Sequence, residues 1–122
     1  MSDKKILTPL ELKVMNALWK TKKAFVKELL EGWGEPKPAY NTISTTIRIL
    51  EEKGFVGHQA FGRTHQYFPV ITKFEYQKSL IGNILENAFA GSATNLVSAL
   101  LGNDKLEAKD IKEIEDLLKN ED

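Results

Sequence analysis

Apolar residues recur every three or four positions along most of this chain, the spacing of helix faces, and give way to a different pattern in one central stretch. In "LTPLELKVMNALWK" the residues Leu10, Val14, Ala17 and Leu18 mark one face, with Trp19 beside it. Thr8 stands at the N-cap, Pro9 at the first helical position and Glu11 where a capping-box partner belongs. "KAFVKELLEGWGEPKP" predicts a shorter helix that ends at Gly32, followed by a Gly- and Pro-rich loop. "AYNTISTTIRIL" predicts a third helix held by Ile43, Ile47 and Leu50, and Gly54 closes it. "FVGHQAFGRTHQYFPV" is aromatic and is broken by Gly62-Arg63, so it predicts two strands joined by a tight turn.

The helical period then returns. Thr72 and Glu75 repeat the capping-box spacing, and Phe74, Ile81, Ile84, Leu85 and Ala88 form a stripe that stops at Gly91. Ser92 caps a short helix with Leu96, Val97, Leu100 and Leu101. Ile111, Ile114, Leu117 and Leu118 mark a last one. The fold expected is mainly α (α+β). Residues 1–71 form a winged helix-turn-helix domain, three helices and a hairpin, and residues 72–122 form a three-helix region. So short a helical segment forms a small core, which pairing with a second copy would complete. Phe74, Ile81, Ile84, Leu85, Leu96, Val97, Leu100, Leu101, Ile111, Ile114 and Leu118 are the expected homodimerisation residues.

Charge sharpens this division. Net charge over the 122 residues is zero, yet residues 1–71 carry nine Lys and two Arg against seven acids, a balance of +4, and residues 72–122 carry −4. A basic first half suits phosphate, and an acidic second half is repelled by it. The chain has no cysteine, which excludes disulfides and thiolate metal sites and fits a reducing compartment. No run approaches the roughly 20 apolar residues of a membrane span. A cytoplasmic protein without membrane insertion is therefore expected.

The third helix carries the candidate chemistry. Its exposed face should bear Asn41, Ser44, Thr45 and Arg48 in place of the Glu and Lys of an ordinary solvated face. Asn can bond adenine at two points and Arg guanine, and Thr can touch a thymine methyl. Short side chains let a helix sit deep in a groove. Tyr40 and Thr42, at the helix start, suit phosphate contact, and Arg63 at the hairpin turn suits a backbone or minor-groove contact. His58 and His65 have no carboxylate beside them in the hairpin, so no metal site is expected, and no cofactor. Phosphate-cradling glycine loops and activated nucleophiles are absent from the sequence, which argues against an enzyme. The alternative is a winged-helix protein-interaction module, whose third helix would carry an exposed apolar patch instead.

"LTPLELKVMNALWK", "AYNTISTTIRILEEKGFV" and "GRTHQYFPV" together resemble the penicillinase repressor and methicillin-resistance regulator family (the BlaI/MecI/CopY type). The resemblance implies a transcriptional repressor that binds a double-stranded inverted-repeat operator as a homodimer. It also implies control by a membrane sensor-protease system that triggers cleavage in the dimerisation region. The bond matching the family's Asn-Phe cleavage bond is Ala99-Leu100, where the region agrees and the residue pair does not. Copper-responsive members end in a cysteine cluster, which this chain lacks. Many members have Arg at the position of Ile49, whereas here the Arg is Arg48.

Overall fold

Thr8 starts the first helix as its spacing predicts. In a computed structural model describing residues 6–119, its hydroxyl accepts from the Glu11 N–H at 3.1 Å, and the Glu11 carboxylate accepts from the Thr8 N–H at 2.9 Å. Residues 1–5 and 120–122, the outer ends of the two expected regions, lie outside the described residues. The elements run α1 (Pro9–Thr21), β1 (Ala24–Phe25), α2 (Val26–Glu31), α3 (Tyr40–Glu52), β2 (Val56–Phe61), β3 (Thr64–Pro69), α4 (Lys73–Ala88), α5 (Ala93–Leu101) and α6 (Ala108–Lys119). The winged-helix layout of helices and hairpin is present. Two compact units divide the chain, one up to Leu80 and one from Ile81.

In the first unit α1 packs on α3, and Val14, Met15 and Leu18 of the one meet Ile43, Ile47 and Leu50 of the other with no exposed surface. The α1 stripe is rotated from the expected one. Met15 and Glu11 are buried, while Leu10 and Ala17 are half-buried at its flanks. Glu11 can be buried because its carboxylate also takes two bonds from the Lys53 ammonium, at 2.8 and 3.0 Å. Lys53 is the C-cap of α3, so this pair ties the start of α1 to the end of α3. Burial alone would raise the Glu11 pKa, but Lys53 and the hydrogen bonds at Thr8 outweigh it and hold the carboxyl below the ordinary range.

A residue past the end of α3 must turn the chain back, and Gly54 does so at φ 86°. The Phe55 N–H then donates to Leu50 O at 2.9 Å, and the Phe55 ring enters the core. Two strands were expected and three form. Ala24 and Phe25, read as the start of the second helix, instead pair with β3, Ala24 opposite Tyr67 and Phe25 opposite Gln66. The antiparallel sheet has the order β1-β3-β2, and α2 is only six residues long. A two-residue strand has no period of its own, so its pairing arises only when β3 arrives beside it.

The first turns of α4 join this core. Tyr76 is buried against Phe55 and Trp19, and its hydroxyl accepts from the Leu7 N–H at 3.2 Å. The Trp19 indole N–H donates to Ile71 O at 2.9 Å. The second unit differs in kind: no described residue from Ile81 onward is buried. Ile84, Leu85, Leu96, Val97, Ile111 and Ile114 are half-buried, and Ile81, Leu100, Leu101, Leu117 and Leu118 are exposed. Phe74, on the first turn of α4, is also exposed.

Replacing Glu11 with Ala removes the carboxylate half of the capping box and the buried partner of Lys53 while the Thr8 cap bond stays, and should cost about 2–3 kcal/mol at neutral pH in urea unfolding. Because the folded pKa is depressed, that contribution is present above the ordinary glutamate pKa and lost as pH falls through the lower folded value. The gap between wild type and Glu11→Ala should therefore shrink in acid.

Candidate nucleic-acid interface

Burial of Ile43, Thr46, Ile47 and Leu50 fixes the rotation of α3, and a helix with one face committed must present the other. That outer face carries Asn41, Thr42, Thr45, Arg48 and Ile49 as exposed residues, with Ser44 half-buried at its margin. Thr46 is the hydroxyl on the inner side, where it donates to Thr42 O at 2.8 Å and so needs no outside partner. Arg48 donates to Ser44 Oγ at 3.1 Å, one turn back, which steadies the guanidinium along the helix.

The start of α3 is built differently from those of α1 and α4. Thr8 and Thr72 close capping boxes on their own helices, whereas the N-cap of α3 is Ala39, with no side-chain cap and no acid in the first turn. Its leading N–H groups therefore face outward without a side-chain acceptor, an arrangement that attracts anions. Tyr40 and Asn41 stand there, both exposed.

The hairpin supplies a second wall. Phe61 pairs with Thr64 across the two-residue turn Gly62-Arg63, with Gly62 at φ 64°, the positive angle such a turn needs at its first central position. The Phe61 ring meets Phe25 of β1 edge-on at 5.7 Å. An open groove of about 730 Å³ results, lined by Tyr40, Asn41, Ser44 and Arg48 from α3, by Arg63, Thr64 and His65 from the hairpin, and by residues from Phe25 to Glu31, including Lys27 and the acids Glu28 and Glu31. The structure thus gathers Tyr40, Asn41, Ser44, Arg48 and Arg63 around one groove. Thr42 and Thr45 lie outside it, on the same exposed face of α3.

Sequence reasoning missed two features. Lys27 lines the groove because β1 draws the start of α2 alongside β3, which the unrecognised strand concealed. The carboxylate missing beside the histidines also exists, but it comes from α3: Glu51 Oε2 lies 2.6 Å from His58 Nδ1. His58 stacks on His65 with ring centroids 4.1 Å apart and 8° between planes. The His58–Glu51 contact links hairpin to helix. Among the described residues no group of three or more His, Cys, Asp or Glu is placed to hold a metal ion. Below the histidines Tyr67 is buried, and burial, reinforced by the Glu51 charge and opposed by Arg48, raises its pKa.

An outward polar helix face, an uncapped helix start and a basic hairpin turn define a winged-helix protein, and comparison with known proteins agrees. Residues 7–120 match the family model of the penicillinase repressors, and the chain belongs to that family. It is 28% identical over 109 residues to the penicillinase repressor of Bacillus licheniformis, a match covering 88% of this chain and 85% of that one. It is 25% identical to the methicillin resistance regulatory protein MecI of Staphylococcus aureus (strain N315), covering 88% and 89%. The solution structure of the DNA-binding domain of the repressor BlaI superposes with a TM-score of 0.51 at 28% identity, covering 57% of this chain and 87% of that domain.

A Cβ at Gly62 would meet nothing within 4 Å, so a substitution there is charged only with backbone strain. Gly62→Val should destabilise the hairpin by about 1 kcal/mol or more, and Gly62→Asn by less, because Asn tolerates positive φ. Amide exchange should accelerate at Phe61 and Thr64 while the amides of Ile47 and Leu50 stay protected.

Proposed function

We propose that this protein is a homodimeric transcriptional repressor whose α3 enters the major groove of an inverted-repeat operator while the β2–β3 hairpin lies along the backbone. The carrying observation is the outer face of α3, where amide, hydroxyl and guanidinium groups stand around a buried aliphatic stripe with an uncapped helix start at one end. An adaptor surface for another protein would carry an apolar patch there. Asn41, Ser44, Thr45 and Arg48 read bases, Tyr40 and Thr42 contact phosphates, and Arg63 holds the backbone beside the wing. Membership of the penicillinase repressor family supports the same reading.

The second unit supports dimerisation. Its helices carry apolar stripes with no buried residue, and a second copy presenting the same stripes would cover them. Two half-site contacts on one dimer multiply affinity through effective concentration. Cutting the dimerisation unit would remove that coupling without touching α3. Ala99 and Leu100 are both exposed, on the last turn of α5 before its C-cap Gly102. A protease takes its substrate extended, so cleavage there by a sensor-protease system requires that terminal turn to open, which helix ends do most readily. No described helix is long and apolar enough to cross a membrane.

Mobility shifts on the inverted repeat near its own gene test the DNA assignment. Arg48→Ala should cost about 1–3 kcal/mol on the specific duplex and relax base preference. Arg63→Ala should weaken binding to specific and scrambled duplexes alike and lower the salt slope by about 1. Unchanged binding in both variants would refute this docking mode. In sedimentation equilibrium the full chain should be a dimer, and Ile114→Asp should shift it to monomer while the circular dichroism of the first unit's helices persists.

A further inference from the structure

One residue on the outer face of α3 has no role in the reading above. Ile49 is 40% exposed, whereas the other aliphatic residues within α3, Ile43, Ile47 and Leu50, are fully buried. A single exposed aliphatic is ordinary on a protein surface. Ile49 is distinguished by its neighbours. It lies one turn beyond Thr45, and on the helical wheel it falls between Thr45 and Thr42, so three methyl-bearing side chains share one strip. The hydrogen-bonding residues Asn41, Ser44 and Arg48 lie on the adjacent strip, toward the hairpin groove, which Thr42, Thr45 and Ile49 do not line. Glu52, exposed one turn further on, bounds the methyl strip. A carboxylate there is repelled by phosphate, so Ile49 is the last side chain on that side suited to a base edge.

Resting on the DNA-binding reading, we propose that Ile49 is a specificity-determining residue that packs, together with the Thr45 methyl, against the 5-methyl group of thymine. The major-groove edge of thymine offers one acceptor and one methyl, and only the methyl distinguishes it from an unmethylated pyrimidine with the same acceptor. The outer face of α3 thus divides its base contacts: Asn41, Ser44 and Arg48 read donors and acceptors, and Ile49 with the Thr45 methyl reads the methyl group. Ile49 is exposed and free of core packing, so altering it changes recognition and not folding.

The test begins with selection of the full chain on a random-sequence duplex library, which supplies its preferred site. Synthetic duplexes of that site are then made with each thymidine in turn replaced by deoxyuridine, which removes only the methyl. Wild type should lose about fourfold in affinity per contacted methyl, at one position in each half-site. Ile49→Ala should bring the thymine-to-uracil ratio at that position down to the smaller share left to the Thr45 methyl, below about twofold, and Ile49→Val should fall between it and wild type. Ile49→Ala keeping the wild-type thymine-to-uracil ratio everywhere, or wild type showing no such ratio at any position, overturns the inference and leaves the DNA-binding reading standing. A library from which no sequence is enriched overturns both.

Discussion

The contact on which the rest depends is the dry seam between α1 and α3, where Val14, Met15 and Leu18 meet Ile43, Ile47 and Leu50 without residual exposure. Burial of several aliphatic side chains at roughly 1.5–3 kcal/mol each is the largest favourable term in a unit of this size. A helix pinned by one stripe cannot rotate without withdrawing that stripe from the core. The seam therefore decides which side chains of α3 face outward, and Asn41, Thr45, Arg48 and Ile49 owe their exposure to it. The Glu11–Lys53 pair fixes the remaining freedom, sliding of α1 along α3, because it bonds the first turn of one to the cap of the other.

The hairpin is held to this frame by contacts of smaller size and greater variety. Phe55 and Val56 enter the core at its base, β1 pairs along β3, and His58 reaches Glu51 on α3. Beside the turn at Gly62-Arg63 the Thr64 hydroxyl donates to Phe61 O at 2.9 Å, and the Phe61 ring meets Phe25 edge-on. Arg63 itself is exposed at the tip of the hairpin, which suits the backbone contact proposed for it. Arg48, by contrast, sits on a helix whose inner face is buried, which suits the base contact proposed for it.

The two units obey the same rules of helix formation with different outcomes. In the first, amphipathic stripes meet across a closed core. In the second, α5 and α6 are amphipathic, and α5 is capped by the Ser92 hydroxyl, which accepts from the Asn95 N–H at 3.1 Å, yet none of their residues is buried. Local periodicity and capping specify a helix, but they do not say what covers its apolar side.

Periodicity, caps and turn residues were legible from the sequence because each is a local property. Thr8 with Glu11, Thr72 with Glu75, Gly54 past the end of α3 and Gly62 in the hairpin all act within six residues, so short-range spacing was enough to find them. The buried stripe and outer polar face of α3 were legible for the same reason, since both follow from a period of 3.6. Long-range pairing was not. Ala24 and Phe25 become a strand only because Tyr67 and Gln66 lie beside them, and Lys27 enters the groove only as a result. Glu11 is buried only because Lys53 arrives from 42 residues away, and His58 finds its carboxylate on another element. The sequence by itself thus determined the elements and the side chains each could offer. The tertiary structure decided which of those side chains meet, because contacts between distant residues depend on the packing of whole elements and leave no mark in the spacing of neighbours.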